Sequence, residues 1–151
     1  MVANHQNAHD FLFVASCTKR PISFMAKKEL FKGPLRWILK SIKTIAVDRK
    51  CKNPQAIQQA SIHLKNKRLI CIFPEGTFNK TTMPLASFKK GAVRLAIDNN
   101  VPIVPITIEI KRRQVRIDVD KPIWMKSKDY EEQTIRLREL MMKKIRGMTW
   151  N

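Results

Sequence analysis

The residues near the start of the chain that are best suited to chemistry are His5 and Asp10. On a regular helix two side chains five positions apart point about 140° away from each other. They can meet if His5 lies in a loop and Asp10 lies in the first turn of the helix that follows. A neutral imidazole can then take a proton from an alcohol, while the carboxylate fixes the tautomer and stabilises the imidazolium. The pair predicts general-base catalysis, although a chain with three histidines produces this spacing by chance often enough that the pair alone is weak evidence.

A second candidate is the stretch Phe73-Pro74-Glu75-Gly76-Thr77, which follows a predicted buried strand. Loops at the carboxyl ends of strands are where α/β folds bind ligands, and a glycine lets backbone approach a substrate closely. Glu75, Gly76 and Thr77 are therefore candidate substrate-binding residues. A turn that merely ends a strand is the alternative, and Pro-Glu-Gly alone favours that alternative.

Three cations are placed where they could receive a phosphate. Arg49 follows a predicted strand, and Lys89 and Lys90 precede a helix predicted to begin near Ala92. A helix N-terminus adds free N–H groups and a partial positive charge, so this position suits an anion. In so basic a chain, a solvated surface role is the alternative for any single lysine.

The segments around these residues alternate between predicted helix and predicted strand. The sequence predicts a short helix at 11–16, strands at 22–25 and 44–47 with helical turns at 27–41 between them, a helix from Pro54 to about Asn66, strands at 69–73, 103–108 and 115–119, and helices at 92–97 and 127–147. The strands at 69–73 and 103–108 flank a helix, which is the pattern of a parallel crossover unit. Ser127 is the predicted cap of the last helix. We expect one α/β domain over 1–151.

Composition limits the classes of partner. The 151 residues carry 30 Lys+Arg against 12 Asp+Glu, a formal charge of +18 that favours phosphates of nucleic acid, anionic lipid or a small ligand. No nucleic-acid reader motif or aromatic platform is present, so nucleic acid is not expected. The cysteines Cys17, Cys51 and Cys71 form no CxxC pair, which predicts reduced thiols in the cytoplasm and no zinc. No apolar run reaches the roughly 18 residues of a membrane span.

Together these blocks resemble the glycerophospholipid acyltransferases, specifically the lysophosphatidate (1-acylglycerol-3-phosphate) acyltransferases. Four blocks match in order over residues 2 to 123. They are Asn4-His5-xxxx-Asp10, Ile45-Ala46-Val47-Asp48-Arg49, Phe73-Pro74-Glu75-Gly76-Thr77 and Val101-Pro102-Ile103-Val104-Pro105-Ile106. The resemblance implies a single domain with a mixed, largely parallel sheet flanked by helices, similar to glycerol-3-phosphate acyltransferase.

The resemblance also implies a mechanism. His5 is the general base on the hydroxyl of lysophosphatidate, Asp10 orients it, and the donor is the thioester of acyl-CoA or acyl-carrier protein. No metal, cofactor or acyl-enzyme is implied. Glu75, Gly76 and Thr77 would line the acceptor site, with Arg49 on its phosphate and Lys89 and Lys90 nearby as further cations, while the fourth block would shape the acyl pocket.

Two positions depart from the family pattern, because Phe78 stands where the family usually has arginine and Lys43 where it usually has glycine. Lys80, Lys43 or Lys89 could replace the arginine as the phosphate ligand. The His motif also begins at the fourth residue, which suggests a short or N-terminally truncated member. Two alternatives therefore stay open: an acyltransferase for a different lysolipid, and a catalytically impaired homologue that only binds anionic membranes.

Membrane attachment is expected at a segment that mixes apolar and basic residues, from Phe24 to Ile42. Its apolar members are Leu30, Phe31, Leu35, Trp37, Ile38 and Leu39, and its cations are Lys27, Lys28, Lys32, Arg36, Lys40 and Lys43. We expect the protein to lie on the cytoplasmic face of an anionic membrane, as a peripheral or monotopic protein without a transmembrane segment. The alternative for about half of these apolar residues is an ordinary place in the core.

Overall fold

The computed structural model describes residues 1–34, 36–48, 53–112 and 114–148. The predictions made above for Leu35, Arg49 and Cys51 lie outside this part of the chain. In chain order the elements are β1 (Val2–Ala3), α1 (Asp10–Ser16), β2 (Ile22–Lys27), a 3-10 helix (Lys28–Lys32), α2 (Arg36–Ser41), β3 (Ile45–Val47), α3 (Pro54–Lys65), β4 (Leu69–Cys71), α4 (Gly91–Asp98), β5 (Pro105–Lys111), β6 (Gln114–Val119) and α5 (Tyr130–Arg146). The predicted α/β class is confirmed.

The chain forms two compact units. One consists of Met1–Cys17 together with Phe73–Asn151, and the other is Thr18–Ile72. We call them the outer-segment unit and the central unit, after the parts of the sequence that build them. That residues 1–151 act as one acyltransferase domain stays a prediction.

The central unit is built on a parallel sheet with the strand order β3-β2-β4. Helix α3 connects β3 to β4 and buries Ala56 and Ala60, two small residues four positions apart on one face. Helix α3 starts at Pro54 and ends at Lys65, with Asn66 as its C-cap, as the sequence predicts. Proline suits the first helical position because the N–H group it lacks would have no partner within the helix there.

The outer-segment unit is built on a mixed sheet with the order β1-β5-β6. β1 runs parallel to β5, with Val2 opposite Pro105, and β6 runs antiparallel to β5. The sequence indicated neither β1 nor its pairing, since two residues give no readable periodicity. β6 lies at the edge of this sheet, as its alternating pattern predicts.

Two expectations about the elements are wrong. β4 pairs with β2 whereas β5 pairs with β1 and β6, so the strands on either side of α4 are not paired in one parallel unit. The last helix begins at Tyr130 instead of Ser127, because the side chain of Asp129 accepts the N–H groups of Glu131 and Glu132 and so caps the helix. It ends at Arg146 with Gly147 as C-cap, close to the predicted boundary.

Candidate active site

The short strand β1 delivers the first catalytic candidate to its place. Asn4, the residue after β1, is fully buried, and its side-chain amide bonds both backbone groups of Ile108. Its Nδ2 donates to the Ile108 carbonyl at 2.8 Å, and its Oδ1 accepts from the Ile108 N–H at 2.7 Å. The side-chain amide thus extends the pairing of β1 with β5 by one residue beyond the end of β1. This holds His5 at the end of the sheet, a role of Asn4 that sequence reasoning missed.

His5 and Asp10 meet in the arrangement that the sequence requires of them. Nδ1 of His5 lies 2.9 Å from Oδ2 of Asp10, the first residue of α1. The same oxygen accepts the backbone N–H groups of Gln6 at 2.6 Å and Asn7 at 2.9 Å, so the loop between the two residues closes around the carboxylate. Because a carboxylate only accepts, Nδ1 of the neutral imidazole carries the proton and Nε2 is left as a base.

Two aromatic rings enclose the imidazole. Phe73 stacks on His5 with ring centroids 4.1 Å apart and an interplanar angle of 19°, and Phe78 lies at 4.5 Å in a tilted orientation. The His5 side chain is 14% exposed, and that of Asp10 is fully buried. Nε2 has no hydrogen-bond partner among the residues that the structure describes. The imidazole is therefore held on one edge and is available to a substrate hydroxyl on the other.

The Phe73–Thr77 loop contacts His5 directly through Glu75. Oε1 of Glu75 accepts the backbone N–H of His5 at 2.8 Å, and Oε2 accepts the N–H of Ala86 at the same distance. Glu75 is only 5% exposed. Both carboxylate oxygens are therefore occupied by backbone donors, an arrangement suited to positioning. That Glu75 contacts the substrate stays a prediction.

The next residues of the loop bring a cation to the site. Gly76 has a φ of +72°, and a Cβ built there would lie 2.9 Å from Nζ of Lys89, so the lysine side chain crosses the face of the glycine. The backbone N–H of Lys89 also donates to the carbonyl of Pro74 at 2.8 Å. Thr77 is exposed beside them. Gly76 and Thr77 thus lie one and two residues after the Glu75 anchor, and the side chain of Lys89 lies against Gly76.

The adjacent lysine points elsewhere. Nζ of Lys90 lies 2.5 Å from Oε2 of Glu131 near the start of α5, in an exposed ion pair. The structure therefore separates the two lysines that the sequence treated as a pair: the ammonium of Lys89 faces the glycine of the loop and that of Lys90 is neutralised. The third predicted cation, Arg49, lies outside the described residues.

Comparison with known proteins shows the family to which the chain belongs. Residues 1–109 match the sequence profile described as Acyltransferase, so the chain belongs to the acyltransferase family. The chain is 36% identical over 114 residues to the 1-acyl-sn-glycerol-3-phosphate acyltransferase of Saccharomyces cerevisiae, an alignment that covers 72% of this chain and 37% of the yeast protein. It is 33% identical over 113 residues to the enzyme of the same name from Bacillus subtilis, covering 68% of this chain and 54% of that protein.

A solved structure supports the fold. The 1-acyl-sn-glycerophosphate (LPA) acyltransferase PlsC from Thermotoga maritima superposes with a TM-score of 0.78 over 99% of this chain and 67% of that one, at 24% sequence identity. The predicted family and fold are confirmed. The chain spans about a third to a half of the length of the curated relatives named above.

Proposed function

We propose that this protein transfers a fatty acyl group from a thioester donor to the hydroxyl of lysophosphatidate and so makes phosphatidate. The observation that carries the proposal is the His5–Asp10 pair, with Nδ1 held at 2.9 Å from the carboxylate and Nε2 without a hydrogen-bond partner among the described residues. The names of the relatives support the choice of acceptor.

The proposed reaction proceeds through two proton transfers. Nε2 of His5 removes the proton from the acceptor hydroxyl as its oxygen attacks the carbonyl carbon of the thioester. The tetrahedral intermediate then collapses, the carbon–sulfur bond breaks, and the proton on Nε2 passes to the departing thiolate. Asp10 stabilises the imidazolium between these two transfers. A positioned base of this kind contributes roughly 10²- to 10⁴-fold to the rate. The donor is acyl-CoA or acyl-carrier protein.

The acceptor's phosphate needs a cation, and the position of Lys89 supports it as the ligand. Its ammonium lies over Gly76, one residue from the carboxylate that anchors His5. Gly76 and Thr77 complete this part of the proposed acceptor site, with Arg49 as a further proposed phosphate contact and Lys90, which is paired with Glu131, as a weaker one. Phe78 packs against His5 and leaves no arginine at that position to bind phosphate.

The contact of Phe78 favours a second candidate, an acyltransferase whose acceptor differs in its headgroup. An aromatic ring 4.5 Å from the base, 39% exposed, offers an apolar surface where a charged ligand would otherwise be held. Comparing lysophosphatidate with uncharged and zwitterionic lysolipids as acceptors separates the two candidates, because only the first requires the anionic headgroup for turnover.

The proposed partner surface is the anionic, cytoplasmic face of a membrane, where a lipid acceptor would be met. In the central unit neither the 3-10 helix nor α2 has a buried residue. Leu30, Trp37 and Ile38 are 46%, 68% and 58% exposed. Cζ of Arg36 lies 4.6 Å from the centroid of the Trp37 ring. Amphipathic segments that lie in a membrane interface combine aromatic and cationic groups in this way. The helices of the described residues are all too short or too polar to cross a bilayer.

Replacing the base tests the proposal. His5→Ala should reduce acceptor-dependent thiol release from acyl-CoA or acyl-carrier protein by at least about 100-fold. His9→Ala is the matched control, because His9 is exposed and contributes only backbone contacts around α1. A folded His5→Ala protein that turns over at the rate of the His9→Ala control would remove the mechanism.

A further inference from the structure

A charged residue on the C-terminal helix reaches the loop that holds the base. Arg138 of α5 donates from Nη2 to the carbonyl of Leu85 and from Nε to the carbonyl of Ala86, each at 2.8 Å. The planar guanidinium suits two successive acceptors, which a lysine could not bridge in this way. The helix that carries it is anchored in the core by Leu137 and Met141, both fully buried. Arg138 is therefore held both by the buried face of the helix that carries it and by the two carbonyl groups that its guanidinium bonds.

The bonds of Arg138 continue to His5 through one peptide group. The carbonyl of Leu85 and the N–H of Ala86 belong to the same amide, which accepts from Arg138 at one end and donates to Oε2 of Glu75 at the other. The other oxygen of Glu75 accepts the N–H of His5. A cation at the carbonyl and a carboxylate at the N–H polarise an amide in the same direction, so these bonds strengthen one another.

This connection also helps to compensate the burial of Glu75. It is 5% exposed, and it forms no ion pair with any of the described residues. Buried charges are costly without compensation. The guanidinium of Arg138, one amide away, supplies positive charge on the side from which Oε2 is hydrogen-bonded, in addition to the two backbone donors.

We propose that Arg138 is a positioning residue for the base: through the Leu85–Ala86 amide and Glu75 it sets the place of the His5 backbone. Arg138 lies beyond the residues that match the family profile, which end at 109. The C-terminal helix, which lies outside the matched region, thus helps to position the candidate base. The kinetic consequence, slower acyl transfer when Arg138 is replaced, rests on the proposed function. The structural consequence, a change at the His5 backbone, does not.

The structural consequence is tested by NMR of the amide protons. Arg138→Gln removes the cation and Arg138→Lys keeps a cation without the fork; Arg136→Gln and Arg136→Lys are matched controls two residues earlier on the exposed face of α5. We expect both Arg138 variants to shift the amide resonances of Ala86 and His5 upfield, with Gln giving the larger shift. The Ile108 amide, which is bonded to Asn4, should stay in place. An unchanged His5 resonance in folded Arg138→Gln overturns the proposal even if no acyl transfer is detected with any substrate.

The kinetic consequence is tested by steady-state assays on the same proteins. Arg138→Gln should lower kcat roughly 10- to 100-fold, the cost of a small misplacement of a catalytic group, and leave KM for donor and acceptor unchanged. The effects of substitutions in one hydrogen-bonded series are not additive. The double variant Arg138→Gln with Glu75→Gln should therefore be no slower than Glu75→Gln alone. Losses that multiply, or a change confined to KM, would show that Arg138 acts independently of His5.

Discussion

Replacing Asp10 by asparagine removes a charge from the site and keeps an acceptor oxygen for His5 and the loop. Oδ2 of Asp10 accepts three hydrogen bonds, from His5, Gln6 and Asn7, while Oδ1 accepts none from the described residues. The asparagine oxygen can take the place of Oδ2 and its Nδ2 that of Oδ1. The loop is then still held and His5 keeps the same tautomer, but the imidazolium formed in the reaction has no carboxylate beside it.

The size of the effect can be worked out from the geometry. Two unit charges about 4 Å apart attract each other by about 4 kcal/mol at an effective dielectric constant of 20. Since the imidazolium exists only after proton transfer, this attraction lowers the barrier and not the energy of the bound substrate. At about 1.4 kcal/mol for each factor of ten, its loss should slow acyl transfer by roughly 10³-fold. If the amide turns its Nδ2 toward His5, the proton is forced onto Nε2 and the loss is larger.

The assay is single-turnover thiol release at saturating donor and acceptor, which isolates the chemical step. Asp98→Asn is the matched control: the same substitution at an exposed position, where the carboxylate pairs with Arg94 and accepts from Tyr130. Thermal unfolding of both proteins establishes that they are folded. Asp10→Asn protein that retains more than about a tenth of the control's rate refutes the assignment of Asp10 as the group that stabilises the imidazolium.

Three further predictions concern the phosphate, the membrane and pH. Lys89→Met should raise the acceptor KM at least tenfold and more than Lys90→Met, because Lys90 is already paired with Glu131; equal effects in acceptor titrations would contradict the assignment. Replacing Trp37 by serine should weaken sedimentation with phosphatidylglycerol vesicles about tenfold or more, whereas Ile62→Ser, at an exposed apolar site on α3, should not; equal losses would count against the surface. Burial, Arg68 and Lys43 hold the pKa of His63 below its ordinary value of 6.5, so the unfolded chain binds this proton more readily and stability falls as the pH drops from 6.5 toward the folded pKa. His63→Gln should therefore lose less Tm between pH 7.5 and 5 than the parent protein; an equal or larger drop contradicts this.

Elements with a strong local pattern were predicted well from the sequence. Helix α3 has a proline at its first position, and α4 has four buried apolar residues in helical spacing, so their boundaries follow from propensity and periodicity. β1 could not be found in the same way, because it has two residues and is defined only by its pairing with β5, about a hundred residues away. The pairing of β4 and β5 was mispredicted for the same reason: helical spacing shows that a crossover exists but not which strand is the partner.

The candidate site was partly predictable. The spacing of His5 and Asp10 requires a loop followed by a helix, and that requirement is met. The structure adds what a motif cannot show, namely that adjacent lysines point to different partners and that both oxygens of Glu75 are bonded to backbone. Side-chain direction and long-range hydrogen bonds depend on tertiary contacts, and the contact of Arg138 with the loop spans more than fifty residues.

A single-turnover reaction of the protein with a labelled acyl thioester, followed by mass spectrometry of the lipid and the thiol, tests whether His5 is the base for a lipid hydroxyl. With lysophosphatidate present, each thiol released should be matched by one molecule of phosphatidate, and without an acceptor the thioester should stay intact. Thioester hydrolysis that is independent of any acceptor, or no phosphatidate although both substrates bind, would contradict the account of His5 as the base for a lipid hydroxyl.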